Sequence, residues 1–342
     1  MKTIKVGING FGRIGRAFLK VAWDRPEIEI VAVNDLGSVD NLAYLLKHDT
    51  VYREWKHDIK ADGQTLIIDG KKVKVLAEKD PAMLPWKDLG VDVVVESTGL
   101  FVTFDKASAH LKAGAKKVVI SAPAKKGEDE SVMGETILLG VNENKFGTCD
   151  ITSNASCTTN AASPLIAILD EALGIEKALL NTVHGYTASQ SIVDGTNKKD
   201  FREGRAAAQN IVPSSTGAAI AVTKAFTKLT GLFDGISMRV PVPAGSIVDI
   251  TFISKKETTA EEVNAILKKA SQDKRWAGVF TVTEEDLVSS DILGSQYGSI
   301  ADLKLTRVVG GNLVKVMGWY DNEMGYTYTL VDHVIKTGNT IQ

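Results

Sequence analysis

The chain has 342 residues, 44% hydrophobic and 24% charged, with a formal net charge of −2. That length predicts two domains rather than one core, and the composition excludes a disordered chain or a disulfide scaffold. The charge offers no basic field for a nucleic-acid backbone, so nucleic acid is not a primary partner, and no apolar run reaches the ~18 residues of a membrane span.

Met1 to Gly7 enters an alternating strand pattern directly, without the charged lead and apolar core of a signal peptide, so a cytoplasmic location is expected. In TIKVGINGFGRIGRAFLKVAW, the alternating Ile4, Val6 and Ile8 give way to Gly10, Gly12 and Gly15, and then to helical spacing at Ile14, Phe18 and Val21. Strand, glycine turn and helix make a dinucleotide cradle. Gly10 permits the tight turn, Gly12 lets a pyrophosphate approach the backbone, and Gly15 lets the helix pack on the strand. The helix N-terminus faces the anion. A second strand, IEIVAVND, ends in Asp35, about 20 residues past the last glycine, where an acid binds the adenosine ribose and repels a 2′-phosphate. The near-continuous apolar runs VDVVVESTG and AKKVVISAP predict buried parallel strands whose C-terminal loops offer Thr98 and Ser121 as cofactor contacts. Simple turn chemistry is the alternative for both.

The chain holds two cysteines, without metal-ligand spacing, so neither a disulfide nor a metal site is expected. Cys149 reads as a buried residue. Cys157, in SNASCTTN, precedes a helical run with Leu165, Ile168, Leu169 and Leu173 in phase and Gly174 as its stop. A helix N-terminus favours a thiolate and predicts a lowered thiol pKa, with Pro164 tolerated if it falls in the opening turns. The alternative is a small buried hydrophobe.

KALLNTV reads as a strand that delivers His184 at its end, so that a nucleophile and an imidazole can meet across one βα unit. His48, His57, His110 and His333 read as structural. PSSTGAAIAVTKAF is expected to place Ser214, Ser215, Thr216 and Gly217 at another helix start, and SMRVPVP to project Arg239 from a strand. Both features suit an anionic substrate. An ordinary N-cap and a surface arginine are the alternatives.

GINGFGRIGR, VVVESTG, SNASCTTN, PSSTGAA, RVPVP and WYDNEMGY, in this order, resemble the characteristic segments of the phosphorylating glyceraldehyde-3-phosphate dehydrogenases. The resemblance covers essentially the whole chain. It implies an α/β protein with a Rossmann domain over residues 1–156, completed by a C-terminal helix at about 321–342. An α+β catalytic domain with a mixed, mostly antiparallel sheet would span 157–320. The helix corresponds to MGYTYTLVDHVIKT, after the hairpin signal Gly310-Gly311-Asn312.

It implies Cys157 as nucleophile and His184 as base. NAD contacts match Arg13, Ile14, Asp35, Ser121 and Asn322, with Lys79 where an arginine is common. Anion pockets match Thr187 and Arg239 on one side and Ser156, Thr158, Thr216 and Gly217 on the other. Arg202 also falls on a matched position, whereas Arg205 reads as structural. The resemblance implies a homotetramer, with about Gly185 to Arg205 near a neighbour's cofactor, and glyceraldehyde 3-phosphate and inorganic phosphate as substrates. Ala161 replaces a second cysteine, the acidic loop KKGEDESVMGET is longer than usual, and Gly195-Thr196 leaves cofactor choice to Asp35 and Leu36. Erythrose-4-phosphate dehydrogenase and a non-catalytic NAD-binding interaction protein are the rival readings.

Overall fold

The computed structural model describes residues 3–129, 131–198 and 200–341; Met1 and Lys2 of the N-terminal pattern and Glu130 of the acidic loop lie outside them. The chain divides into two compact units, one of Met1–Ile137, Glu143–Ala155 and Leu330–Gln342, the other of Leu138–Asn142 and Ser156–Thr329. Leu138–Asn142 goes with the second unit because the Gly140 carbonyl accepts from Arg275 Nε at 2.5 Å.

The first unit carries a nine-stranded sheet. Its order is Glu135–Thr136, Ile151–Ser153, Lys117–Ile120, Val93–Glu96, Ile4–Asn9, Ile28–Asn34, Lys71–Leu76, Thr65–Ile68, Ile59–Asp62. The strands from Glu135–Thr136 through Lys71–Leu76 pair in parallel; the last two add antiparallel edges. Val93–Glu96 is buried throughout, as a parallel strand covered on both faces must be. From Ile4–Asn9 the chain continues to one neighbour and later adds the other, so the strand order reverses there. Crevices at such reversals, beyond the strand C-termini, bind ligands.

The glycine turn and the helix Arg13–Ala22 follow that first strand. Gly10 has φ +92°, and a Cβ there would lie 2.6 Å from the Thr98 nitrogen. At Gly15 a Cβ would lie 2.1 Å from the Gly10 carbonyl oxygen. A side chain at Gly10 would run into the Ser97–Thr98 backbone, and one at Gly15 would push the helix off the strand end.

The second unit carries a mixed sheet in the order Val212–Ser215, Phe233–Val240, Ile175–Gly185, Ser246–Ser254, Leu313–Tyr320, Ser299–Asp302, Phe280–Thr283, with Arg307–Val309 also on Leu313–Tyr320. Most of its pairings are antiparallel, but Ile175–Gly185 with Phe233–Val240, and Phe280–Thr283 with Ser299–Asp302, run in parallel. Gly310 and Gly311, both with positive φ, turn the hairpin between Arg307–Val309 and Leu313–Tyr320. Along Ile175–Gly185, Ala178, Leu180, Thr182 and His184 are buried in alternation, which puts them on the face that meets the helix Cys157–Leu173. The opposite face leaves Leu179, Ile236 and Leu313 67%, 52% and 42% exposed.

Two local expectations are corrected. Pro164 is interior to the helix Cys157–Leu173 rather than in its opening turns, and having no N–H it cannot bond the Asn160 carbonyl. The surrounding burial holds the helix in spite of that missing bond: Leu165, Ile166, Leu169 and Ala161 are all nearly inaccessible. Ser214 and Ser215 end the strand Val212–Ser215, where pairing with Phe233–Val240 outweighs their capping tendency; the helix Ala218–Ala225 begins after Gly217. The C-terminal helix runs Met324–Gly338. Among the described residues no helix is long and apolar enough to cross a membrane.

Candidate active site

In the first unit, a cleft of about 510 Å³ lies at the strand reversal, lined by Gly10, Gly12, Asp35, Leu36, Lys79 and Thr98 among others. Asp35 stands just beyond the strand Ile28–Asn34; its Oδ2 accepts from the Phe11 amide at 2.8 Å and its Oδ1 from the Gly37 amide at 2.9 Å. The acid therefore fixes the glycine turn from the far side of the cleft. A Cβ built at Gly12 meets nothing within 4 Å, which leaves the backbone open to an approaching diphosphate. The open turn, the helix N-terminus and the anchored carboxylate together fit a dinucleotide with a free ribose 2′-hydroxyl.

Arg13 at the helix start is held by Asp49 at 2.7 Å and lies over the Tyr52 ring. Burial pushes the Asp49 carboxyl up, but the Tyr52 amide, the Arg13 guanidinium and the Val51 amide together hold it below its usual range. Ile14 is half-buried in the first helical turn, and Ser121, also half-buried, donates its amide to the Glu96 carbonyl.

Beneath the cleft lies a buried network that the sequence reading missed. Glu96 accepts from Asn9 Nδ2 at 2.6 Å and meets His110 Nε2 at 3.0 Å, while its other oxygen accepts from the Thr98 amide and hydroxyl at 2.8 and 2.5 Å. Trp86 Nε1 donates to His110 Nδ1 at 3.0 Å, which leaves the ring proton on Nε2, facing the carboxylate. The available signal was a lone acid closing an otherwise apolar strand, VVVE.

In the second unit, Ser156 is the N-cap of the helix Cys157–Leu173, its hydroxyl accepting from the Thr159 amide at 3.1 Å, so Cys157 is the first helical residue. Ala155, immediately before, has φ +56°, a strained backbone that aims the chain into the helix. Cys157 Sγ lies 3.5 Å from His184 Nε2, and the thiol residue is partly exposed while His184 is buried. The sheet register sets the next neighbour: His184 pairs directly with Arg239 on the parallel strand Phe233–Val240. Arg239 Nη1 reaches His184 Nδ1 at 2.6 Å and the Gly185 carbonyl at 3.3 Å.

Burial pushes the Cys157 thiol up, against the pull of Arg239 and the Thr158 amide, so the lowering expected from the helix dipole is overruled by desolvation. Burial, reinforced by Arg239, drives His184 down to about 3, so the ring is neutral near pH 7. A neutral imidazole beside a thiol can take its proton whenever Nε2 carries the lone pair.

Tyr320 is also missed by the sequence reading. Its buried hydroxyl joins Thr158 Oγ1 at 2.9 Å and Thr182 Oγ1 at 2.8 Å, and its ring packs edge-on against His184. Alternation along Leu313–Tyr320, with Val314, Val316 and Tyr320 buried, placed it on the helix-facing side. Within this network the Thr158 hydroxyl is buried and bonded to Tyr320.

Thr187 is half-buried just past His184 and bonds Ser189. Thr216 caps the Ala218 amide beside exposed Gly217, and Arg202 is exposed in the turn Phe201–Gly204. Arg205 pairs with Asp194, in keeping with a structural role. The buried Asn322 spends its Oδ1 on the Gly245 amide and Ser246 hydroxyl. Cys149 is half-buried, its thiol raised by burial. Among the described residues no cluster suits a metal ion.

A glycine-turn nucleotide fold and a thiol–imidazole pair in one chain define a nicotinamide-dependent aldehyde oxidoreductase. Residues 4–104 match the model for the glyceraldehyde 3-phosphate dehydrogenase NAD binding domain, and residues 156–322 match that for the C-terminal domain of the same enzymes. The chain is 48% identical to glyceraldehyde-3-phosphate dehydrogenase of Streptomyces coelicolor over 99% of its own length and all of that protein. It is 47% identical to glyceraldehyde-3-phosphate dehydrogenase 1 of Bacillus subtilis over 98% of this chain and 99% of that one. Identity is 46% with glyceraldehyde-3-phosphate dehydrogenase B of Aspergillus oryzae, over 96% and 97%. The chain belongs to the glyceraldehyde-3-phosphate dehydrogenase family, and its cofactor is NAD.

Proposed function

We propose that this chain oxidises D-glyceraldehyde 3-phosphate with NAD and inorganic phosphate to 1,3-bisphosphoglycerate, through a thioester on Cys157. The observation that carries this reading is the 3.5 Å approach of Cys157 Sγ to His184 Nε2, with Arg239 beside the same imidazole. His184 takes the thiol proton as sulfur attacks the aldehyde carbon, and the Cys157 amide at the helix start stabilises the oxyanion of the thiohemiacetal. NAD, when bound, supplies the acceptor for the hydride of that carbon. The resulting thioester on Cys157 retains the oxidation energy until phosphate attacks it.

Gly10, Gly12, Arg13, Ile14, Asp35, Lys79, Thr98, Ser121 and Asn322 are assigned to the cofactor; the placement of Asp35 favours a free 2′-hydroxyl. Arg239 and Thr187 are assigned to one anion, and Ser156, Thr216 and Gly217, with Arg202, to anionic groups of substrate or phosphate. Thr158, whose hydroxyl bonds Tyr320, is assigned to the same anionic groups. A homotetramer in the cytoplasm is the proposed state. The exposed apolar side chains on the outer face of the second unit's sheet support self-association, and the molecular mass in solution tests it.

Cys157→Ser is expected to abolish phosphate-dependent NADH formation while NAD affinity, measured by calorimetry, stays near wild type. Full turnover in that variant would refute the assignment. Assays with erythrose 4-phosphate in parallel, each with and without phosphate, separate this reading from the related dehydrogenase.

A further inference from the structure

The roles proposed for Arg239 and His184 collide at one atom. His184 Nδ1 lies 2.6 Å from Arg239 Nη1 and 2.6 Å from the Gly185 carbonyl oxygen. A guanidinium only donates and a carbonyl only accepts, whereas a neutral imidazole nitrogen does one or the other. Nδ1 can therefore serve one of these neighbours at a time.

The choice decides what faces the sulfur. When Nδ1 accepts from Arg239, the ring proton sits on Nε2, 3.5 Å from Cys157 Sγ, and no lone pair is available for the thiol proton. When Nδ1 donates to Gly185, Nε2 presents its lone pair to the sulfur and is a base. Arg239 has an alternative engagement ready. Its Nε is buried without a hydrogen-bond partner among the described residues, so a donor is left over for an anion. The direct pairing of His184 and Arg239 across parallel strands holds the two side chains in this relation.

We propose that Arg239 is an anion-sensing switch of the His184 tautomer: a phosphate group that draws the guanidinium off Nδ1 lets the ring adopt the Nδ1–H form, which arms Nε2 as the base for Cys157. The exchange changes no net charge, because a solvent proton enters at Nδ1 and the Nε2 proton leaves to water. An aldehyde without an anionic group is then disfavoured twice, in binding and in activation of the base. The inference rests on the reading of Arg239 as an anion-binding residue, and it makes that residue both a substrate contact and a positioning residue for the base.

The test is long-range ¹H–¹⁵N correlation spectroscopy on the full chain labelled at its five histidines, with the His184 signals identified by their loss in His184→Asn. Inorganic phosphate is titrated, and its binding is measured separately by calorimetry. Free protein is expected to show Nε2–H, saturating phosphate to invert the ring to Nδ1–H, and Arg239→Met to show Nδ1–H with or without phosphate. Saturable phosphate binding with an unchanged ring overturns the switch while the anion-binding reading stands. Equal phosphate affinity in wild type and Arg239→Met, or no binding to either, overturns both. A ring protonated on both nitrogens in free protein near pH 7 also overturns the switch. The wild-type titration decides the matter alone if the variant does not fold.

Discussion

Two buried imidazoles, one in each unit, show how similar burial produces different chemistry. His333, in the first unit, has Thr152 Oγ1 at 2.8 Å from Nε2 and Asn154 Oδ1 at 3.2 Å from Nδ1, two side-chain partners that one tautomer satisfies together. The amide oxygen takes the Nδ1 proton and the hydroxyl donates to Nε2. His184, in the second unit, has a thiol on one side and two incompatible partners on the other. Burial drives both rings down to about 3. A fully satisfied histidine fixes the turn beneath it, whereas a frustrated one keeps a proton site open for reaction.

Perturbing the two rings separates these roles. His184→Asn is expected to lower kcat by about 10²–10⁴-fold, the usual worth of a positioned base, measured as phosphate-dependent NADH formation. A loss below tenfold would make His184 structural, like its counterpart. His333→Ala removes the ring that bonds Thr152 and Asn154 in a dry site. It should cost about 1–3 kcal/mol of stability per group by denaturant unfolding and leave kcat unchanged. Tyr320→Phe sharpens the comparison: it removes the hydroxyl shared by Thr158 and Thr182 and should destabilise the second unit by about 1–3 kcal/mol, with a smaller loss of kcat than His184→Asn.

Acid should reveal the rings' shared burial. Each has a folded pKa near 3 against an ordinary value of 6.5, so between those limits the unfolded chain binds the additional protons. Stability must then fall as pH drops below about 6.5, by up to about 1.4 kcal/mol per pH unit for each ring, and His333→Gln should remove one ring's share of the slope. The same slope in both proteins would place His333 in a solvated environment.

The comparison also explains what the sequence made legible. The cofactor cradle is local: three glycines, a strand end and an acid about 20 residues on suffice to locate the turn. Its supporting network is not local, because Glu96, Asn9 and His110 meet only after three segments assemble. In the thiol site, Cys157 at a helix start and His184 at a strand end could be read from spacing. The parallel register that sets Arg239 against His184 could not, since pairing between distant strands leaves no mark in either segment. The thiol pKa went the opposite way from the dipole argument because burial depends on the whole pocket, while the dipole is visible from one helix. Ser214 and Ser215 failed for a related reason: their pairing strand lies more than twenty residues away.

On the proposed mechanism the sulfur of residue 157 carries the acyl group. Rapid mixing with NAD and glyceraldehyde 3-phosphate, phosphate withheld, followed by peptide mass analysis, tests it most directly. A burst of one NADH per active site, with a phosphoglyceryl adduct on the Cys157 peptide that disappears when phosphate is added, is the predicted result. Steady NADH production without phosphate, or an adduct on the Cys149 peptide, would contradict it.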